Sequence, residues 1–291
     1  MELRDSRHIM NSETGYSKNA TAYALAGQPD APAVALIHGL GINRHMWDQH
    51  IPFLSERYRV LTYDLCGHGE SAPPLSAPSL VSFSEQLHQL LQELGIMRCA
   101  LVGFSLGGMI NRRFAMDYAS RVSALGVLNS PHERDPVAQK LVEERAAETS
   151  VGGPGATLEA TIERWFTDAF RRERPDAIAQ IREWVLANEG QNYAACRRVL
   201  AHGVVELIRP EPPIVAPALV MTCEYDSGST PSMSYAIGSE IAGARVIIVP
   251  RLRHMGLMEE PELFARHVLQ FLDDVLDQSK QYYKRTGICR P

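Results

Sequence analysis

The stretch that decides the fold is Val102-Gly103-Phe104-Ser105-Leu106-Gly107-Gly108-Met109. It follows an apolar run, 99–102, which predicts a buried strand. The apolar residues after Ser105, up to Phe114, recur at helical spacing and predict a helix. Ser105 is therefore expected on a sharp turn from strand to helix, where larger side chains in place of the two flanking glycines would clash.

The turn matches the pattern G-x-S-x-G, which is typical of a nucleophile elbow. Such a turn exposes the Ser105 hydroxyl above the sheet. It also points the first amides of the helix toward any negative charge that develops on a substrate oxygen. The alternative is a glycine-rich turn whose serine has no catalytic role. The rest of the chain helps to decide between these two interpretations.

Composition narrows the class of protein. The chain has 291 residues, 45% hydrophobic and 22% charged, as in ordinary soluble globular proteins. A net charge of -5 argues against a nucleic-acid partner. The five cysteines are scattered and odd in number, so neither a disulfide framework nor a zinc site is expected. No signal peptide or membrane span is apparent, so we expect no membrane partner and a cytoplasmic protein; the oligomeric state stays open.

Short apolar runs alternate with helical patterns, which predicts an α/β fold with a mostly parallel sheet and helices on both faces. The predicted strands are 33–37, 58–63, 99–102, 122–129, 218–222 and 245–249. Two weak strands are expected within 6–26, joined by a polar turn at 11–15. Helices are predicted at 80–94, 231–242 and from Pro261 onward. The polar tail 278–291 has no evident packing role.

The alternation stops at Pro131 and resumes near residue 214. Helical patterns fill the interval, at 136–149, 157–171, 175–188 and 192–206. We predict a core of residues 1–131 and 214–291, with a helical cap inserted as residues 132–213. This insertion is rich in arginine, at 164, 171, 172, 174, 182, 197 and 198. Most of these arginines are expected on solvated helix faces. The alternative is that one of them contacts an anionic substrate.

A serine nucleophile needs a base, and the base needs an acid to orient it. Ser105, Asp226 and His254 occur in the chain order serine, acid, histidine, each just past the end of a predicted strand. The carboxyl ends of parallel strands meet at one edge of the sheet, so the three side chains can converge there. Glu224 is the rival acid, but Asp226 lies further into its turn.

The loop His38-Gly39-Leu40-Gly41 also leaves the end of a predicted strand. The backbone amides of Leu40 and Leu106 are the candidate oxyanion hole. We interpret His38 as bracing its loop rather than acting as a base. The loop Asp64 to Ser71, with His68, is interpreted as fixing its own backbone. Candidate substrate-pocket residues are Gly39, Met109, Trp165, Phe166 and Met255.

The chain resembles enzymes of the α/β-hydrolase fold along nearly its whole length. The resemblance rests on the 38–41 loop, the 64–71 loop, the elbow, Glu224-Tyr225-Asp226 and the His254 loop. The segments 164–170 and 192–196 and the run Leu106-Gly107-Gly108-Met109 are similar to the 3-oxoadipate enol-lactonase group. Cys66 and Cys223 depart from that pattern.

The resemblance implies hydrolysis of a small-molecule ester or lactone without a cofactor or metal. Ser105 argues against haloalkane dehalogenases and epoxide hydrolases, which carry an aspartate at the elbow. Hydrolysis of a C–C bond in a β-diketone-like substrate by the same triad is one alternative. A slow-turnover, ligand-sensing homologue is an alternative of another class. The fold by itself names no substrate.

Overall fold

The computed structural model describes residues 12–286, with side chains as far as residue 276. The strands are β1 Glu13–Tyr16, β2 Ala22–Ala26, β3 Ala33–Ile37, β4 Arg59–Tyr63, β5 Cys99–Phe104, β6 Val122–Leu128, β7 Ala218–Cys223 and β8 Arg245–Val249. They form one sheet in the order β1-β2-β4-β3-β5-β6-β7-β8. All neighbours are parallel except β1 with β2 and β2 with β4.

The central strands are apolar because both of their faces are covered. Every residue of β3, β5 and β7 is buried, as expected for a parallel sheet between two layers of helices. The predicted fold class, a mostly parallel sheet with helices on both faces, is confirmed.

The helices are α1 Ile51–Leu54, α2 Leu80–Glu93, α3 Leu106–Asp117, α4 Pro136–Gly152, α5 Leu158–Trp165, α6 Asp168–Glu173, α7 Pro175–Leu186, α8 Gly190–His202, α9 Pro231–Glu240, α10 Gly256–Glu259 and α11 Pro261–Thr286. They pack in groups, with α2 on α3 and α1 on α11. Ser79 and Ser82 form a reciprocal capping box at the start of α2, and Gly95 follows its end at a φ of +66°.

Three expectations need correction. The first hairpin turns at 17–21 rather than 11–15: the Ser17 amide donates to the Thr21 carbonyl, and its hydroxyl accepts from the Thr21 amide. The predicted helix 157–171 is two helices, because the backbone is extended at Phe166 and Thr167. The last helix continues to Thr286, into the stretch expected to be a tail. Residues 6–11 and 287–291 lie outside the described residues.

Helices α4 to α8 all lie between β6 and β7 in the chain. This inserted segment is hydrogen-bonded to loops that leave the carboxyl ends of the strands. The Asn188 side-chain amide donates to the Gly41 carbonyl at 3.0 Å, and the Met255 amide donates to the Trp165 carbonyl at 2.9 Å. Thr167 donates through its amide and its hydroxyl to the Glu259 carboxylate, at 2.9 and 2.5 Å.

The longest apolar stretches of residues 12–286 form strands or packed helix faces. Within these residues every helix is too short or too polar to cross a membrane.

Candidate active site

The turn between β5 and α3 forces Ser105 into a left-handed backbone, with φ of 53°. Strand and helix approach so closely that a Cβ on Gly103 would lie 2.1 Å from the Gly107 carbonyl oxygen. A Cβ on Gly107 would lie 2.2 Å from the Ile37 carbonyl oxygen. Glycine is required at both positions, and strain at such a serine is typical of functional sites.

The backbone of Ser105 is held from two sides. Its amide donates to the Leu128 carbonyl at 2.9 Å, and its carbonyl accepts from the Ser130 hydroxyl at 2.9 Å. Arg112, which is 1% exposed, donates to the Ser130 hydroxyl and the Pro131 carbonyl. Burial lowers the pKa of Arg112 to about 9. The nucleophile candidate is therefore fixed by neighbours on two other elements, β6 and α3.

The structure brings Ser105, His254 and Asp226 into one hydrogen-bonded row. His254 Nε2 lies 3.2 Å from Ser105 Oγ, and His254 Nδ1 lies 2.6 Å from Asp226 Oδ2. Asp226 stands on the turn after β7, and His254 stands in the loop after β8. The rings of Phe104 and Trp165 flank the imidazole, with centroids at 4.9 and 5.9 Å.

The carboxylate of Asp226 is buried and fully partnered. Oδ1 accepts from the backbone amides of Gly228 and Ser229, each at 2.9 Å. Oδ2 accepts from the Asn129 side chain at 2.9 Å as well as facing His254. Burial by itself would raise the pKa of Asp226, but the charge and hydrogen bond of His254, with the bonds from Asn129 and Ser229, outweigh it and hold the pKa below its usual value.

The rival acid, Glu224, points elsewhere. Its side chain is exposed, and its carboxylate accepts from the Arg251 amide at 2.9 Å. Of the two acids weighed from the sequence, only Asp226 contacts His254.

The two amides predicted for an oxyanion hole have no acceptor among the described residues. Neither the Leu40 nor the Leu106 N–H donates to any group in the described part of the chain. Both residues are buried, at 5% and 0% exposed. Buried amides are almost always paired in folded proteins. These two lack a partner among the described residues, and both donors are therefore available to a substrate oxygen. Leu40 lines the cavity beside Ser105, and Leu106 does not.

A cavity of about 70 Å³ opens at Ser105 and His254. One water needs roughly 10–15 Å³, so this is room for a small molecule. Of the five predicted pocket residues, Trp165 lines it, whereas Gly39, Met109, Phe166 and Met255 are not among its lining residues.

Those four residues are packed into the protein. Met109, Phe166 and Met255 are 0% exposed, and Phe166 stacks on Phe170 with ring centroids 5.3 Å apart. Gly39 is packed against Phe104 and the Ser105 Cβ. Met109 is near Ser105 in the sequence, Met255 is beside His254 and Phe166 is in the inserted segment, but the sequence does not show which way these side chains point.

The remaining polar residues singled out from the sequence hold loops. The His38 Nε2 accepts from the Leu65 amide at 2.9 Å, and burial lowers the pKa of His38 to about 4. Asp64 accepts from the amides of Arg44 and Glu70 and pairs with the Arg44 guanidinium. These contacts match the bracing roles expected for His38 and the 64–71 loop.

Sequence reasoning missed several residues of the candidate site. Asn129 follows β6 at the carboxyl edge of the sheet, which is a signal that could have found it. Arg134 and Arg145 line the cavity, and no local sequence pattern distinguishes them from surface arginines. Within residues 12–286 no grouping of His, Cys, Asp and Glu side chains could hold a metal ion.

Comparison with known proteins gives the family. A family model described as alpha/beta hydrolase fold matches residues 32–149. A Klebsiella pneumoniae subsp. pneumoniae protein named "Putative carbamate hydrolase RutD" is 30% identical over 234 residues, 78% of this chain and 86% of that protein. The chain belongs to the α/β hydrolase fold family.

Further relatives agree with the expected resemblance. This hydrolase is 27% identical over 255 residues to 3-oxoadipate enol-lactonase 2 of Acinetobacter baylyi. The aligned residues cover 86% of this chain and 91% of that protein. The crystal structure of the enol-lactonase from Burkholderia xenovorans superposes with a TM-score of 0.80 at 28% identity, over 87% of this chain and 96% of that one. The predicted similarity to enol-lactonase-like hydrolases is confirmed.

Proposed function

We propose that this chain is a serine hydrolase that cleaves a small ester or lactone through an acyl-enzyme. The observation that supports this most directly is the row Ser105–His254–Asp226, with spacings of 3.2 and 2.6 Å. The names of the enol-lactonase relatives agree with an ester or lactone as substrate.

In the proposed reaction His254 carries its proton on Nδ1, which donates to Asp226. Nε2 then accepts the proton of Ser105 as the hydroxyl oxygen attacks the substrate carbonyl. Asp226 keeps the imidazole in this tautomer and stabilises the imidazolium that forms. The paired, buried state of Asp226 supports this role, because the carboxylate stays ionised.

The developing oxyanion would be held by the amides of Leu40 and Leu106. Removing one such donor costs about 3–4 kcal/mol of transition-state stabilisation in other hydrolases. His254 returns its proton to the leaving oxygen, and the acyl group stays on Ser105. Water, deprotonated by His254, then releases the acid and restores the serine.

The inserted segment 132–213 is proposed as a cap domain on a core of residues 1–131 and 214–291. Its position between β6 and β7 supports this division, as do its hydrogen bonds to Gly41 and Glu259. A cap in this position would cover the acyl group and limit its size.

The test is turnover of a panel of small esters and lactones, read by product mass. Ser105→Ala should lower kcat by at least about 10⁴-fold. The matched control is Ser84→Ala, because Ser84 is buried in α2 and its hydroxyl bonds to Asp117. Undiminished turnover in Ser105→Ala would overturn the proposal. Cleavage of a β-diketone but of no ester would favour the C–C alternative, and tight binding without turnover would favour a sensing role.

A further inference from the structure

Four arginines line the cavity that holds Ser105 and His254. They are Arg134, Arg145, Arg164 and Arg197, which we call the arginine cluster. Arg134 precedes α4, and the others lie on α4, α5 and α8. The other three arginines lie 11 to 52 positions from Arg145 along the chain. All four nevertheless face one small cavity, because the inserted helices converge over it.

The arginine cluster differs from the other arginines of the inserted segment in its partners. Arg171, Arg174 and Arg182 form ion pairs with Asp168, Asp176 and Glu159, at 2.7 to 2.9 Å. Within the described part of the chain, no member of the arginine cluster forms an ion pair.

Two members of the cluster are fixed by neutral groups. Arg134 donates to the carbonyls of Leu200 and Ala201, at 3.3 and 3.2 Å, and its buried Nε has no partner. Arg197, which is 7% exposed, donates to the Tyr193 hydroxyl at 3.2 Å. The guanidinium groups of Arg145 and Arg164 donate no hydrogen bond to any described group of the chain.

The charges of the cluster repel one another. Burial, followed by the charges of Arg145 and Arg197, lowers the pKa of Arg164 to about 10. Burial lowers the pKa of Arg134 to about 10 as well. With a pKa of about 10, Arg134 and Arg164 remain cations at neutral pH, so the cavity holds positive charge, which is costly without a counter-charge.

The acids near the cluster do not neutralise it. Asp226 lines the same cavity and its charge favours the charged form of Arg164, but its oxygens already face His254, Asn129 and two backbone amides. Glu148 favours the charged form of Arg145 but is itself exposed and does not line the cavity. Asp226 is the one acid among the lining residues of this cavity, against four arginines, so an anionic ligand would balance the excess positive charge.

We infer that the arginine cluster binds a dianion, so that the substrate is a small ester or lactone with two negative charges remote from the scissile carbonyl. A guanidinium binds a carboxylate through two parallel hydrogen bonds. The free donors of Arg145 and Arg164 match two carboxylates, or one phosphate-like group shared between them. The inference rests on the proposed function only for the position of the scissile bond, at Ser105.

The test uses four methyl esters, which are methyl acetate, monomethyl succinate, monomethyl tricarballylate and methyl phosphonopropionate. Their acyl groups carry no charge, one carboxylate, two carboxylates and one phosphonate. The wild type should hydrolyse at least one of the two dianions with a kcat/KM about 100-fold above that of methyl acetate. The ratio between tricarballylate and phosphonopropionate distinguishes the two kinds of dianion.

Arg164→Met should lower kcat/KM for the preferred dianion about 100-fold, mainly by raising KM, and the loss should be at least tenfold larger than for methyl acetate. Arg164→Lys, which keeps a charge without the planar fork, should recover part of the loss. Arg182→Met is the matched control, because Arg182 lies on the same segment but pairs with Glu159 at the surface. Equal losses for charged and neutral esters would overturn the inference.

A binding experiment separates this inference from the proposed function. Ser105→Ala is titrated calorimetrically with tricarballylate and with inorganic phosphate, with and without Arg164→Met. Dianion binding that is lost with Arg164→Met, together with a wild type that hydrolyses no ester, would support the dianion site and reject the proposed function. Ester turnover without dianion preference or binding would retain the proposed function and reject the inference.

Discussion

The triad and the arginine cluster line the same cavity but differ in how their charges are compensated. The Asp226 carboxylate has a protein partner for each oxygen, and His254 contacts both Asp226 and Ser105. The guanidinium groups of Arg145 and Arg164 have no such partner in the described chain. The triad is thus held by protein groups, whereas we infer that the positive charge of Arg145 and Arg164 is balanced by a ligand.

The largest effect should come from breaking the triad at its acid. Asp226→Asn keeps the shape of the side chain but offers an amide to His254, which favours the wrong imidazole tautomer. We expect kcat to fall about 10⁴-fold with KM little changed. Steady-state kinetics on the best ester, with circular dichroism to verify folding, measures this.

The matched control is Glu224→Gln, at the exposed acid two residues earlier. Its kcat should stay within a factor of two or so of the wild type, since exposed substitutions have small effects. The reverse outcome, with Glu224 essential and Asp226 dispensable, would contradict the assignment of the acid.

Acid should destabilise the fold through its buried histidines rather than through the arginine cluster. Burial lowers the pKa of His38 and His50 to about 4 and of His68 to about 3, against about 6.5 in an unfolded chain. Below about pH 6.5 these histidines bind protons in the unfolded chain but stay neutral in the folded chain. The free energy of unfolding therefore falls as pH falls from about 6.5 toward 4. Arg134 and Arg164, with a pKa of about 10, stay charged throughout.

The expected loss is about 2 kcal/mol per buried histidine by pH 5. Urea denaturation at several pH values measures it, and His68→Leu should reduce the loss by one histidine's share. A free energy of unfolding that is flat between pH 7 and 5 would show that these histidines are not buried in the neutral form.

A smaller effect should distinguish a glycine at the elbow from a glycine of the inserted segment. Gly107→Ala puts a Cβ 2.2 Å from the Ile37 carbonyl oxygen, and we expect a loss of about 1–3 kcal/mol in the free energy of unfolding. Gly190→Ala, at the start of α8, meets nothing within 4 Å and should add roughly 0.4–1 kcal/mol. Urea midpoints of both variants test this, and equal changes would refute the tight strand–helix approach at the elbow.

The sequence was most informative where structure depends on neighbours along the chain. The apolar run 33–37 is β3 residue for residue, since a strand buried on both faces needs apolar residues throughout. It was least informative at the first hairpin, where the polar run 11–15 resembled a turn. Residues 13–15 of that run instead belong to β1, an exposed edge strand paired with β2, and long-range pairing of this kind leaves little local signal.

The candidate site divides in the same way. Chain order and strand ends predicted which serine, acid and histidine meet, and the structure brings those three together. The pocket residues were harder, and only Trp165 of five lines the cavity. The direction of a side chain on a packed element depends on the partners of that element, which the sequence does not display.

The sequence by itself determined the elbow, the α/β alternation and the order of the triad, because glycine at a close approach, apolar strands and residues at strand ends are local requirements. Only the tertiary structure decided which arginines are paired at the surface and which face the cavity. Arg164 and Arg182 both stand on amphipathic helices of the inserted segment. They differ because a charge is compensated by what lies near it in space, and that depends on how the helices pack over the sheet.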